Sequence, residues 1–138
     1  MRKIETSAPE ETVEAGRQLA AELAPGTVVA LSGELGAGKT HFVRGLAEGW
    51  GATEPATSPT FALLHEYETP RGKICHLDLY RARDTEEIWS AVHDELDSSG
   101  GLLVIEWPDR CPELLPPDAL RISISHTGEG RRTITIEK

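Results

Sequence analysis

Residues 33 to 40 are Gly33, Glu34, Leu35, Gly36, Ala37, Gly38, Lys39 and Thr40, a full match to the pattern G-x-x-x-x-G-K-[ST]. Each residue type in it serves phosphate. Glycines let the backbone take positive φ and curl, so that successive N–H groups point inward at phosphate oxygens. The Lys39 ammonium is placed to reach the β and γ phosphates, and the Thr40 hydroxyl to ligate Mg²⁺. The stretch therefore predicts a nucleoside triphosphate site built from these eight residues.

Such a site needs a further acid close to the magnesium, commonly where an apolar strand ends. Leu102 to Ile105 is an apolar run that ends in Glu106. Trp107 and Pro108 follow at once, which puts Glu106 at the carboxyl end of its strand, where open α/β sheets hold ligands. Asp78, in HLDLYR, is the other candidate. His76, Asp78 and Tyr80 share one face of that strand, with Leu77 and Leu79 on the other. A carboxylate there either ligates magnesium through water or orients the attacking water, or else pairs with Arg81 on an edge strand. Spacing alone leaves both open. Ser58 and Thr60 flank Pro59 in a loop of the length a γ-phosphate sensor needs, and turn bonding is the equal alternative. His41, His65, His76, His93 and His126 show no metal-ligand spacing. No [NT]-K-x-D stretch exists, which counts against guanine, and the want of a basic lid counts against a small-molecule kinase. A nucleotide-gated binding module without turnover is the other class left.

The elements that must position these groups can be read from periodicity. Val28 to Leu31 is a buried strand leading into the loop. Phe42, Val43 and Leu46 mark one face of a helix that the loop opens, and its N-terminus adds partial positive charge under the phosphates. Ahead of these, residues 2 to 6 read as a short edge strand. Pro9, Glu10 and Glu11 then open a helix with an apolar stripe of Val13, Leu19, Ala20 and Leu23, closed by Pro25-Gly26. This strand–helix preface predicts a less common sheet order. Phe61 to Tyr67 and Lys73 to Leu79 pair as a hairpin across Thr69-Pro70-Arg71-Gly72.

Asp84 to Leu96 is expected as a helix that buries Ile88, Trp89, Val92 and Leu96. Its outer face holds Glu86, Glu87, Asp94, Glu95 and Asp97, either a solvated surface or an acidic docking face for a basic partner. Prolines 108, 112, 116 and 117 predict irregular chain with at most one helical turn. Leu120, Ile122 and Ile124 alternate with Arg121, Ser123 and Ser125 as a one-sided strand, and HTGEG turns into a last strand with Ile134 and Ile136 on one face. The expected architecture is α/β, a single domain of roughly three helices and six or seven strands in a mixed, mainly parallel sheet with an antiparallel C-terminal hairpin.

Composition limits what such a chain does. With 23 acidic residues against 14 Lys and Arg, net charge is −9. Phosphate neutralisation drives nucleic-acid binding, so strong binding of RNA or DNA by this chain alone is disfavoured, and a partner is implied if it serves nucleic acid. No apolar run approaches the roughly 18 residues of a membrane span, and no apolar secretory segment precedes Pro9. Two cysteines, Cys75 and Cys111, with no C-x-x-C, predict structural thiols in a reducing cytoplasm.

Taken together, GELGAGKT (33–40), TSPTF (57–61), HLDLYR (76–81), IEWPDR (105–110) and HTGEGRR (126–132) resemble one family. The chain is similar to the bacterial tRNA threonylcarbamoyladenosine biosynthesis ATPases, the TsaE (YjeE) family, with the matches in family order across nearly the whole length. The resemblance implies a P-loop NTPase-like three-layer domain that hydrolyses ATP slowly alone and faster with two partners, the TsaB and TsaD proteins. Its work would be the modification of tRNA next to the anticodon, in the cytoplasm. By matching motif, Gly36 to Thr40 would bind phosphates, Thr40 and Glu106 would hold Mg²⁺, Asp78 would be the functional acid of HLDLYR, and Thr60 would lie in a switch-like loop. Thr6 to Ala8, with Arg131 or Arg132, would stand near the adenine. Lys39, Asp78 and Glu106 form the implied catalytic set, with Asp78 also near the metal. The chain departs from the family after HLDLYR, where EEIWSAVHDELD replaces a Leu-Gly-rich helix.

Overall fold

The apolar run that leads into the phosphate loop becomes the middle strand of a seven-stranded sheet. In the computed structural model, which describes residues 2–34, 38–53, 64–81, 84, 86, 88 and 101–137, β2 (Val28–Gly33) pairs in parallel with two strands. These are β5 (Leu102–Glu106) on one side and β6 (Leu120–Gly128) on the other. Beyond β5 lie β4 (Ile74–Asp78), parallel to it, and β3 (Leu64–Tyr67), antiparallel at the edge. Beyond β6 come β7 (Arg131–Glu137) and then β1 (Arg2–Thr6), each antiparallel to its inner neighbour. The order is β1-β7-β6-β2-β5-β4-β3, so β3 and β7 alone run against the other five. The N-terminal preface thus sits at an edge beside the last strand, which accounts for the unusual order.

Period two sorts the side chains. Val29 and Leu31 of β2, Leu102 and Val104 of β5, and Ile134 and Ile136 of β7 pack on one face against α1 (Pro9–Ala20) and α2 (Lys39–Gly49). Cys75, Leu77, Leu103 and Ile105 point to the opposite face, where they meet Ile88, Cys111 and Leu114. Both cysteines are buried free thiols. The proline-rich segment forms two 3₁₀ turns, Pro108–Arg110 and Pro112–Leu114, where at most one was expected. Each begins on a proline whose fixed φ suits a first helical position, and each buries one residue, Pro108 and Leu114.

α1 and α2 touch backbone to backbone. A Cβ on Gly45 would run into the carbonyl oxygen of Val13, and one on Gly16 into that of Phe42. Only hydrogen fits at these two positions. Gly45→Ala is therefore expected to lower stability by about 1–3 kcal/mol, as overpacking does, despite alanine's better helix propensity. Urea unfolding followed by circular dichroism reads this directly, and an unchanged midpoint would show that the helices can part without cost.

Of the helix expected from Asp84, only residues 84, 86 and 88 are described: Glu86 is exposed, Ile88 is buried, and the Ile88 N–H donates to the Asp84 carbonyl at 3.3 Å. Trp89, Val92 and Leu96 lie outside the described residues, as do Glu87, Asp94, Glu95 and Asp97 of the acidic face, and Ser58, Thr60 and Phe61.

Candidate active site

Each helix-facing stripe is apolar along its strand and becomes polar at one end of the sheet. Leu102 and Val104 lead to Glu106, Ile74 leads to His76 and Asp78, and in the reversed β7 Ile136 and Ile134 lead to Arg132. Register brings these ends together, with Asp78 opposite Glu106 and Glu106 opposite Leu31, two residues short of the Gly33 that closes β2. There the sheet borders a cavity of about 420 Å³. Ser7, Ala8, Pro9 and Thr12 line it from the start of α1, and Gly38, Lys39, Thr40 and His41 from the start of α2. Asp78, Glu106, Trp107, Gly130 and Arg132 complete the wall.

Two helix N-termini thus face one cavity, each bringing positive dipole ends to it. Gly38, the N-cap of α2, has φ 102°, a left-handed conformation natural to glycine. It carries no side-chain cap, and the first helical bond runs from the Phe42 N–H to the Gly38 carbonyl at 3.0 Å. The N–H groups of Lys39, Thr40 and His41 consequently have no intrahelical acceptor and suit an anion.

Lys39 is buried at 5% exposure. Its Nζ donates to the Gly33 carbonyl at 2.6 Å, stands 3.7 Å from Glu106 Oε1, and lies 4.0 Å from the centroid of the Trp107 ring. Glu106, at 6% exposure, joins His76 Nε2 through its other oxygen. Burial pushes the Glu106 carboxyl up, but the His76 hydrogen bond and charge, helped by Lys39, outweigh it and hold the group below its ordinary value. It is ionised at neutral pH. Trp107 takes φ 59° and ψ 51°, left-handed and rare for a bulky side chain. That turn brings its ring to Lys39 and to Tyr80, the latter with 5.0 Å between centroids. Arg110 ties the two strand ends, donating to the carbonyls of Leu79 and Tyr80.

Among the expected site residues, Gly38, Lys39, Thr40, Asp78 and Glu106 line the cavity together. Gly33 stands behind it, its carbonyl holding Lys39, and Glu34 is exposed and outside the lining. Leu35, Gly36, Ala37 and Thr60 lie outside the described residues. Arg131 is not in the lining and Arg132 is. The reason is alternation: Arg132 shares the face of Ile134 and Ile136, and its neighbour takes the other. Ser7 and Ala8 line the cavity, whereas Thr6 acts one step back through a 2.9 Å hydroxyl bond to Thr12. Strand β4 is interior, between β5 and β3, so Asp78 does not stand on an edge strand, and the Arg81 side chain of the alternative ion pair lies outside the described residues. Asp78 Oδ1 accepts the Tyr80 N–H at 3.0 Å.

Trp107 and His76 carry interactions that the motif reading did not assign. The signal for His76 was present, because it shares a strand face with Asp78, but its partner on β5 depends on a strand pairing that periodicity does not supply. The carboxylates of Asp78 and Glu106 and the hydroxyl of Thr40 give hard oxygen donors on one cavity, the chemistry magnesium requires. No group of three or more His, Cys, Asp or Glu suited to a metal occurs among the described residues.

The family model described as threonylcarbamoyl adenosine biosynthesis protein TsaE matches residues 6–134. The tRNA threonylcarbamoyladenosine biosynthesis protein TsaE of Bacillus subtilis is 40% identical over 133 residues, spanning 96% of this chain and 83% of that protein. Its namesake in Treponema pallidum is 40% identical over 136 residues, 99% of both chains. The fold is similar to the crystal structure of Bacillus subtilis YdiB, with a TM-score of 0.78 and 34% identity, covering 98% of this chain and 83% of that one.

Proposed function

This chain belongs to the TsaE family, and from that premise we propose that it serves tRNA threonylcarbamoyladenosine biosynthesis as a magnesium-dependent ATPase working with TsaB- and TsaD-like partners. One observation carries the reading: the start of α2, Lys39, Thr40, Asp78 and Glu106 converge on one cavity large enough for a nucleotide.

In this mechanism the N–H groups from Gly38 to His41 receive the phosphates, and Lys39 turns its ammonium from the Gly33 carbonyl toward the β and γ oxygens. Ser7, Ala8, Pro9 and Arg132, which line the same cavity from the start of α1 and from β7, take the nucleoside. Thr40 and Glu106, with Asp78 beside them, would hold magnesium, whose charge would offset that of the phosphates. Asp78, less buried than Glu106, orients the water that attacks the γ phosphorus, and the bond to the β-phosphate oxygen breaks to leave ADP and phosphate. Trp107, whose ring lies over the Lys39 ammonium, screens it from solvent, which strengthens its attraction for phosphate.

A chain of net charge −9 is poorly suited to hold tRNA by itself, so the partners bring the tRNA and this subunit supplies hydrolysis. Among the described residues no helix is long and apolar enough to cross a membrane, and we assign the protein to the cytoplasm with its tRNA.

The test is phosphate release from ATP by the purified chain, alone and with both partners added. Release should be slow alone and rise by about tenfold or more with the partners, the scale of one added transition-state contact. Intact nucleotide binding with no stimulation would overturn the partnered role and leave a nucleotide-binding module.

A further inference from the structure

We propose that His76 is a positioning residue that holds Glu106 away from Lys39 and so keeps the phosphate-binding ammonium available; the inference rests on the phosphate-loop reading above. His76 occupies a helix-facing position of β4 opposite Val104 in register, buried at 8% exposure. Neighbouring strands fill that depth of the face with apolar side chains, Val104 and Val29. An imidazole there costs desolvation unless it is bonded, and its Nε2 is bonded to Glu106 Oε2. His65, its cross-strand partner on β3, lies beside it with 6.0 Å between ring centroids and the rings tilted by 40°. His76 is not in the cavity lining. Whatever it does for a ligand, it does through Glu106.

The distances show what that is. A direct ammonium–carboxylate hydrogen bond runs about 2.7–2.9 Å, yet Lys39 Nζ stands 3.7 Å from Glu106 Oε1 and donates to the Gly33 carbonyl instead. The carboxylate is anchored on its far side by His76, which prevents the two charges from closing into a full pair. With His76 removed, a buried carboxylate that has lost a donor moves about an ångström to bond Lys39 directly. Closed in that way, the ammonium is neutralised and turned from the phosphates.

ADP affinity measured by calorimetry in EDTA reads this without metal or turnover. His76→Leu should weaken ADP binding about tenfold, the effect of losing one hydrogen bond to a charged group. Adding Glu106→Gln to that variant removes the capturing charge and should bring affinity back to within about threefold of wild type. His76→Gln keeps an N–H near Nε2 and should bind like wild type. His76→Phe, which fills the site without donating, replaces the Leu variant if that one does not fold. Wild-type affinity in the Leu or Phe variant, or a loss that Glu106→Gln does not repair, would overturn the role of His76 and leave its ring as packing. Wild-type protein that binds no ADP would overturn the phosphate-loop reading and this inference with it, an outcome the wild-type control separates from the others.

Discussion

Lys39→Ala is expected to abolish ATP binding at millimolar nucleotide while leaving the protein folded. Three features make this the largest effect available. The ammonium is a full positive charge in the cavity wall, its 5% exposure shields it from solvent screening, and in the proposed mechanism it reaches the β and γ phosphates. Truncating one partner of a buried, hydrogen-bonded charge pair costs about 2–5 kcal/mol, which is roughly thirtyfold to several thousandfold in affinity. The fold loses less, because the Lys39 ammonium reaches only the Gly33 carbonyl, the Glu106 carboxylate and the Trp107 ring, and Glu106 retains His76. Calorimetry with ATP, beside circular dichroism for folding, checks both halves. A folded variant that binds within about threefold of wild type would remove Lys39 from the site.

Glu106→Ala should do the reverse: ATP affinity within about tenfold of wild type, and hydrolysis lost. The carboxylate faces Lys39 and the cavity but adds no attraction for phosphate; its negative charge opposes the ligand until a cation stands between them. Removing it relieves that repulsion and releases Lys39, and this offsets the metal affinity that is lost. Catalysis has no such compensation, since an acid in the ion's shell acts on charge that develops only in the transition state. Binding and single-turnover phosphate release, measured on the same preparation, separate the two. Turnover at the wild-type rate would move the essential acid to Asp78, the other carboxylate of the lining. The direction of the Glu106 shift supports the assignment, because a carboxyl held below its ordinary value by His76 and Lys39 stays charged at neutral pH despite its burial.

Much of the site could be read along the chain because its signals are local. The Gly38-Lys39-Thr40 corner depends on backbone conformation and on the helix that follows, both encoded within a dozen residues. The apolar run ending in Glu106 and the alternation through Asp78 also declare themselves within one strand. Alternation even contained the choice of Arg132 over Arg131, since Ile134 and Ile136 mark the face. The second 3₁₀ turn was less legible: prolines forbid regular structure without specifying which short turn replaces it.

Local order along the chain was enough for the phosphate-loop pattern, the acids near it, the strand and helix periods and the family. Only the tertiary structure decided which groups meet: strand order sets β4 beside β5 and so brings His76 to Glu106, and a left-handed Trp107 sets its ring against Lys39. The hairpin pairing with β1 likewise carries Arg132 to the start of α1. The physical reason is that side-chain period and backbone preference are properties of neighbouring residues. Strand pairing is instead settled by burial and hydrogen bonding summed over the whole sheet, to which no single stretch of chain holds the answer.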